Sequence, residues 1–155
     1  MPSGTIRDIA AHSDALRALY AGAAASAAYA AEMYVDMAIT QSAFDDLQLI
    51  EGVVRGRRAR IPALGMLIHL ANGAALGVVY AEVQRFFPGP PWLKGLLFGT
   101  GFLLVAWPGA PVVDRVHPLI QRGELPKLNR PVVFGQNVAR HVVYGLVLGW
   151  LYGPR

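Results

Sequence analysis

Three long stretches of this chain carry no Asp, Glu, Lys or Arg: Ile61 to Ala81, Gly95 to Val113 and His141 to Pro154. A helix needs about 20 apolar residues to cross the hydrocarbon core of a bilayer. Two of the stretches reach that length outright, and the third does once Val132 to Arg140 is added. A fourth, Ala-rich stretch lies upstream. The pattern predicts helices at about 15–40, 62–83, 92–113 and 131–153. Together they form one domain, an all-α integral membrane four-helix bundle.

The first of these helices has Ala and Gly on most faces and Glu32 and Asp36 near its far end. Such a helix suits lipid poorly and is expected to pack against its neighbours, with Gly22 and Ser26 allowing close approach. The run Ala27-Ala28-Tyr29-Ala30-Ala31 resembles a signal-peptide cleavage region, but Asp8 and Asp14 accompany Arg7 and Arg17 upstream. The stretch is therefore read as a retained helix behind a polar lead at 1–14. In the connector 41–60, Phe44 to Val54 has the pattern of a short amphipathic helix lying on the membrane surface. Pro62 suits a first helical position. Pro108 and Pro111 are expected to kink or end the third helix, and 114–131 is a Pro-rich basic connector. Tyr80, Trp92, Trp107, Trp150 and Tyr152 are expected as interfacial anchors.

The helices repeat. His69, Gly73, Gly77 and Tyr80 read H-x3-G-x3-G-x2-Y, and His141, Gly145, Gly149 and Tyr152 read the same. The preceding helices match more loosely, Gly22-x3-Ser26 against Gly95-x3-Gly99. This spacing keeps each set on one helical face. It implies two pseudo-symmetric transmembrane hairpins of one orientation, related by an axis along the membrane normal. His69 and His141 then sit at matching depths, and Glu32, Asp36 and Arg140 fall in the same layer.

Composition narrows the class. Charged residues are 15% of the chain, against roughly 25% in ordinary soluble domains. The net charge of +4 does not indicate nucleic-acid binding, because no Lys/Arg block alternates with aromatic residues. The connectors hold Arg55, Arg57, Arg58, Arg60, Arg115, Arg122, Lys127 and Arg130; the opposite side holds Arg7, Arg17, Arg85, Lys94 and Arg155. The imbalance places the connectors in the cytoplasm and both termini outside. The chain has no cysteine, which excludes disulfides, iron–sulfur clusters and thiolate zinc sites.

The run His69-Leu-Ala-Asn-Gly73, the Trp92-Leu-Lys-Gly95 entry and the closing His141-Val-Val-Tyr-Gly145-Leu-Val-Leu-Gly149 resemble a family of uncharacterised bacterial four-span membrane proteins. The resemblance covers roughly residues 20–153. It implies a fold and a multi-pass location in the bacterial inner membrane, and lends no activity.

His69 and His141 are the sharpest chemical candidates. An imidazole pair inside a bundle is a possible axial ligand set for a b-type haem or another tetrapyrrole, with Gly73, Gly77, Gly145 and Gly149 making room for a flat macrocycle. The competing reading is that each His hydrogen-bonds across helices while the glycines let helices touch. Glu32 and Asp36, one turn apart, suit a proton or cation path, or an ion pair with Arg140. Met33, Met37 and Met66 with a His suit Cu(I), or simply fill core gaps. No Ser/His/Asp arrangement, phosphate loop or HExxH is present, so autonomous catalysis is not expected. The favoured expectation is a small membrane subunit or accessory protein that packs on itself or on other membrane subunits and holds a cofactor between the two His. The alternative is a small proton, cation or copper transporter or channel using Glu32, Asp36 and the His pair.

Overall fold

The structure of the protein, a computed structural model, describes the backbone of residues 3–153 and the side chains of residues 14–153. His12 and the basic residues Arg7 and Arg155 lie outside the described side chains. The described chain is helical throughout, with no strand. Helix α1 spans Ser3–Thr40, α2 Asp46–Arg55, α3 Ala63–Val83 and α4 Pro91–Ala106. Two short helices follow, α5 at Ala110–Val116 and α6 at Pro118–Gln121, and α7 closes the chain at Pro131–Tyr152. The expected polar lead is a correction, since α1 is already helical from Ser3. Pro108 and Pro111 act as expected: α4 tightens into a 3-10 turn at Trp107–Gly109 before α5 resumes.

Two helical stretches, Ala63–Phe86 and Pro91–Val116, are long and apolar enough to cross a membrane, with hydropathies of 1.6 and 1.7. α1 packs along both α3 and α7, and α4 packs along α7. The glycines set these contacts. A Cβ on Gly22 would overlap the carbonyl of Gly73 and crowd Gly77, and a Cβ on Gly95 would overlap the carbonyl of Gly145 and crowd Gly149. Gly77 faces the carbonyl of Ala18, and Gly149 faces that of Pro91. The Ser26 hydroxyl meets the carbonyl of His69, and Gly99 faces the carbonyl of His141. The α1–α3 and α4–α7 pairs thus make the same contacts at corresponding positions.

The correspondence breaks in one place. α1 and α7 pack together along their length, while α3 and α4, which would be the matching pair, make no extended contact. They meet mainly near their linked ends, where Tyr80 touches Phe98 with ring centroids 5.3 Å apart.

α2 forms because Asp45 caps it, accepting from Leu47 N at 2.9 Å and Gln48 N at 3.0 Å, and because Gly56 ends it with a left-handed φ of 64°. Its buried side is mixed: Asp46, Gln48 and Glu51 are buried beside Leu47, while Val53 and Val54 are exposed. The buried polar side chains have local partners. Gln48 pairs with both backbone groups of Ala59. Glu51 accepts from Gly65 N at 3.0 Å, serving the first turn of α3 where Pro62 offers no side-chain cap. A Cβ on Gly65 would overlap the carbonyl of Leu47, so α2 sits directly on that turn.

The two connectors interlock at one end. Buried His117 meets the Leu49 carbonyl through Nε2 at 2.8 Å. Arg58 donates to the Glu124 carbonyl, Arg122 donates to that of Gly56, and Leu119, Ile120 and Leu125 form a small apolar cluster between them.

Candidate functional site

Arg140, on α7, is fully buried and is the largest fully enclosed side chain among the described residues. Its Nη1 lies 2.6 Å from Asp46 Oδ2 and its Nη2 lies 2.9 Å from Asp36 Oδ2; its Nε lies 3.8 Å from Glu32 Oε2. The Phe44 ring lies 5.9 Å from the guanidinium carbon. Gln136 also donates to Asp36, at 2.7 Å. One cation therefore gathers three carboxylates from α1 and α2. Of the two readings for Glu32 and Asp36, the geometry supplies the ion pair with Arg140.

Tyr29 links this cluster to the histidines. Its hydroxyl donates to Asp46 Oδ2 at 2.9 Å and also lies 3.2 Å from Asn137 Oδ1. Its ring packs against His69 at 4.9 Å and His141 at 5.2 Å between centroids. The expected layer of Glu32, Asp36, His69, Arg140 and His141 is thus assembled through Tyr29 and Asp46, neither of which the sequence pattern singles out. Asn137 does carry a signal, standing one turn before His141 on the same face of α7. Its carbonyl accepts from His141 Nδ1 at 2.8 Å.

Beside this cluster lies a cavity of about 590 Å³, in the gap where α3 and α4 fail to meet. His69, Asn72, Gly73 and Leu76 line it from α3, Phe102, Leu103 and Ala106 from α4, and Asn137, His141 and Tyr144 from α7. Ser26, Tyr29 and Asp46 form its inner wall, and Trp107 and Val113 border it toward α5. His69 Nε2 is buried without a hydrogen-bond partner. Asn72 is exposed at the mouth of the cavity, and no hydrogen bond engages its amide among the described residues.

The glycines do not serve as expected. Gly77, Gly145 and Gly149 lie against the backbones of facing helices, and Gly73, which also lines the cavity, lies against the Ser26 side chain and the Gly22 carbonyl. A tetrapyrrole between His69 and His141 would also have to contend with the Tyr29 ring, which is held in place by Asp46. The packing reading of these glycines is the one the contacts support. Met33, Met37 and Met66 do gather, but in an apolar cluster with Ala30 and Leu47, and Met33 Sδ faces the backbone N–H of Asp46 at 3.3 Å. Among the described residues no set of three His, Asp or Glu side chains is arranged to hold a metal ion. Tyr80 and Tyr152 correct another expectation. Both are buried, with rings edge-to-face at 5.7 Å, whereas Trp92 and Trp150 are exposed.

Fold and site define an all-helical protein whose buried Arg–carboxylate–Tyr–His cluster borders a largely apolar cavity. The chain belongs to a family of unknown function, DUF6789, whose model matches residues 12–154. No curated protein and no solved structure matches it.

Proposed function

We propose that the protein is a multi-pass membrane protein in which α1, α3, α4 and α7 cross the bilayer as two related hairpins, and that it holds a bilayer-borne small molecule in the cavity between α3 and α4. It then acts as a small binding or accessory component of the membrane, alone or beside other subunits. The observation that carries this reading is the cavity's position. It opens between the two most apolar helices, where lipid-soluble molecules have lateral access, while the corresponding α1–α7 contact is closed. Its volume is in the range of small-molecule sites, about 300–1,000 Å³.

The exterior supports the membrane placement. Only 22% of the apolar window of either α3 or α4 is buried within the protein, unlike the core helix of a soluble fold. Leu67, Val79, Leu104 and Val105 are exposed on those helices, as are Tyr20, Val35 and Ile39 on α1. So continuous an apolar surface is foreign to soluble monomers. Transport through Glu32 and Asp36 is less well supported, since neither lines the cavity and Arg140 already neutralises part of their charge.

The test is extraction and mass analysis of small molecules that co-purify with the protein in mild detergent. Wild-type protein should retain a lipid-soluble compound, and Ala75→Phe, at a position on α3 that lines the cavity, should narrow it and lose the compound. Equal retention by both would overturn the cavity reading. An absorption spectrum of the same sample checks the cofactor expectation: a Soret band abolished by His69→Ala or His141→Ala would restore the tetrapyrrole.

A further inference from the structure

The polar groups around the cavity can be sorted by whether they are already used. Asp46 Oδ2 is taken by Arg140 and Tyr29. The Tyr144 hydroxyl donates to the Gly73 carbonyl and that of Ser26 to the His69 carbonyl, both at 3.2 Å. Asn137 uses an amide N–H on the Val133 carbonyl, and its amide oxygen lies 3.2 Å from the Tyr29 hydroxyl. Arg140 is enclosed and does not line the cavity. Among the described residues that line the cavity there is no Lys or Arg to meet a carboxylate or phosphate.

His141, His69 and Asn72 are among the groups that keep capacity for a ligand, and one has a fixed role. A carbonyl oxygen only accepts, so His141 Nδ1, 2.8 Å from the Asn137 carbonyl, carries a proton. A neutral His141 therefore presents Nε2 as a bare acceptor. His69 Nε2 is unpartnered, and the Asn72 amide offers both a donor and an acceptor. At the depth of an apolar helix such groups are costly to leave unmet. Around them stand Tyr29, Phe102, Trp107 and Tyr144, with Phe102 stacked near His141 at 23° between ring planes. Aromatic walls of this kind favour a flat ring.

Resting on the cavity reading above, we infer that the ligand is a neutral, hydroxyl-bearing aromatic ring on an apolar tail, of phenol or hydroquinone type, whose hydroxyl donates to His141 Nε2. The tail leaves between α3 and α4 into the bilayer. The Asn72 amide and His69 Nε2 serve the far side of the ring.

The test uses the full chain in lipid nanodiscs with Trp92→Phe and Trp150→Phe, which leaves Trp107 at the cavity as the remaining tryptophan of three. The probes are 4-heptylphenol and its methyl ether, which has the same shape and no donor. Binding is read as quenching of Trp107 fluorescence. The phenol is expected to bind at least tenfold more tightly than the ether, and His141→Leu should bring its affinity down to that of the ether. The phenol–ether comparison needs no change at His141, so it stands even where that variant misfolds. Equal affinities, both abolished by Ala75→Phe, would overturn the ligand class and leave the cavity in place. Binding unchanged in Ala75→Phe would overturn the class and the cavity together. No binding of either probe would overturn the class, with the cavity then decided by the extraction experiment.

Discussion

Arg140 is costly to bury, and its carboxylates are what make it tolerable. Removing one partner from a buried ion pair is far more damaging than replacing the set, because it strands a charge. Arg140→Ala should therefore destabilise the protein by about 3–5 kcal/mol, read as a large drop in melting temperature in detergent. Arg140→Met combined with Asp46→Asn should recover most of that loss. A single variant as stable as the wild type would show that the guanidinium is not what holds α1, α2 and α7 together here. Asp45 makes a second residue-scale case. Burial raises its carboxyl pKa above the ordinary value of 3.8, and the capped N–H groups of Gln48 and Leu47 only partly offset this. A raised folded pKa favours the protonated form, so the contribution is full below pH 3.8 and is lost as pH rises through the elevated value. Asp45→Asn keeps the cap and removes the burden. It should match or exceed wild-type stability at neutral pH and lose that advantage in acid, whereas Asp45→Ala should cost about 1 kcal/mol. The chain displays Glu32, Asp36 and Arg140 openly, the first two as a pair one turn apart near the end of α1 and the third as the only charge within α7. Asp46 it does not, because in a connector full of charges nothing local separates a buried carboxylate from a solvated one.

At the scale of elements, the glycines divide into two kinds that the sequence lists side by side. Gly22 and Gly95 hold equivalent places, each against the carbonyl of its partner helix, while Gly101 and Gly135 have open space where a Cβ would go. Gly22→Ala and Gly95→Ala should each destabilise the protein, and by similar amounts, since both must push a backbone aside. Gly101→Ala and Gly135→Ala should be neutral or stabilising by about 0.5–1 kcal/mol from helix propensity alone. Thermal melts of the four variants check this, and a uniform response would mean that the packing faces are misplaced. The H-x3-G-x3-G pattern made these faces legible because close approach needs small residues at fixed spacing. The orientation of α2 was not legible. A polar stripe beside an apolar stripe looks the same whether the polar side meets water or Arg140, Ala59 and Gly65, and only the neighbours decide which.

At the scale of the molecule, the long helices meet through small residues: Ala18, Ala21, Ala25 and the repeat glycines Gly22, Gly73, Gly77, Gly95, Gly145 and Gly149 lie within beside a buried arginine, while Leu67, Val79, Leu104, Val105 and Trp150 lie without. This follows if lipid, not water, surrounds the long helices, because small residues then drive close packing and polar groups must find partners inside. A topology experiment separates four crossings from two. The chain has no cysteine, so single cysteines can be introduced at Gly56, Gly123, Gly89 and Trp150 and labelled in intact cells with an impermeant maleimide. The interlocked connectors hold Gly56 and Gly123 at one end of the helices and the α3–α4 turn holds Gly89 at the other; under the proposed topology the connectors face the cytoplasm. Trp150 decides the number of spans. If α7 crosses, Trp150→Cys labels from outside together with Gly89→Cys. If only α3 and α4 cross, it is protected together with Gly56→Cys and Gly123→Cys. Labelling of Trp150 from outside is the expected outcome, because a two-span arrangement would leave the exposed apolar side chains of α1 and α7 in water, with only the charges near the histidine layer to offset them.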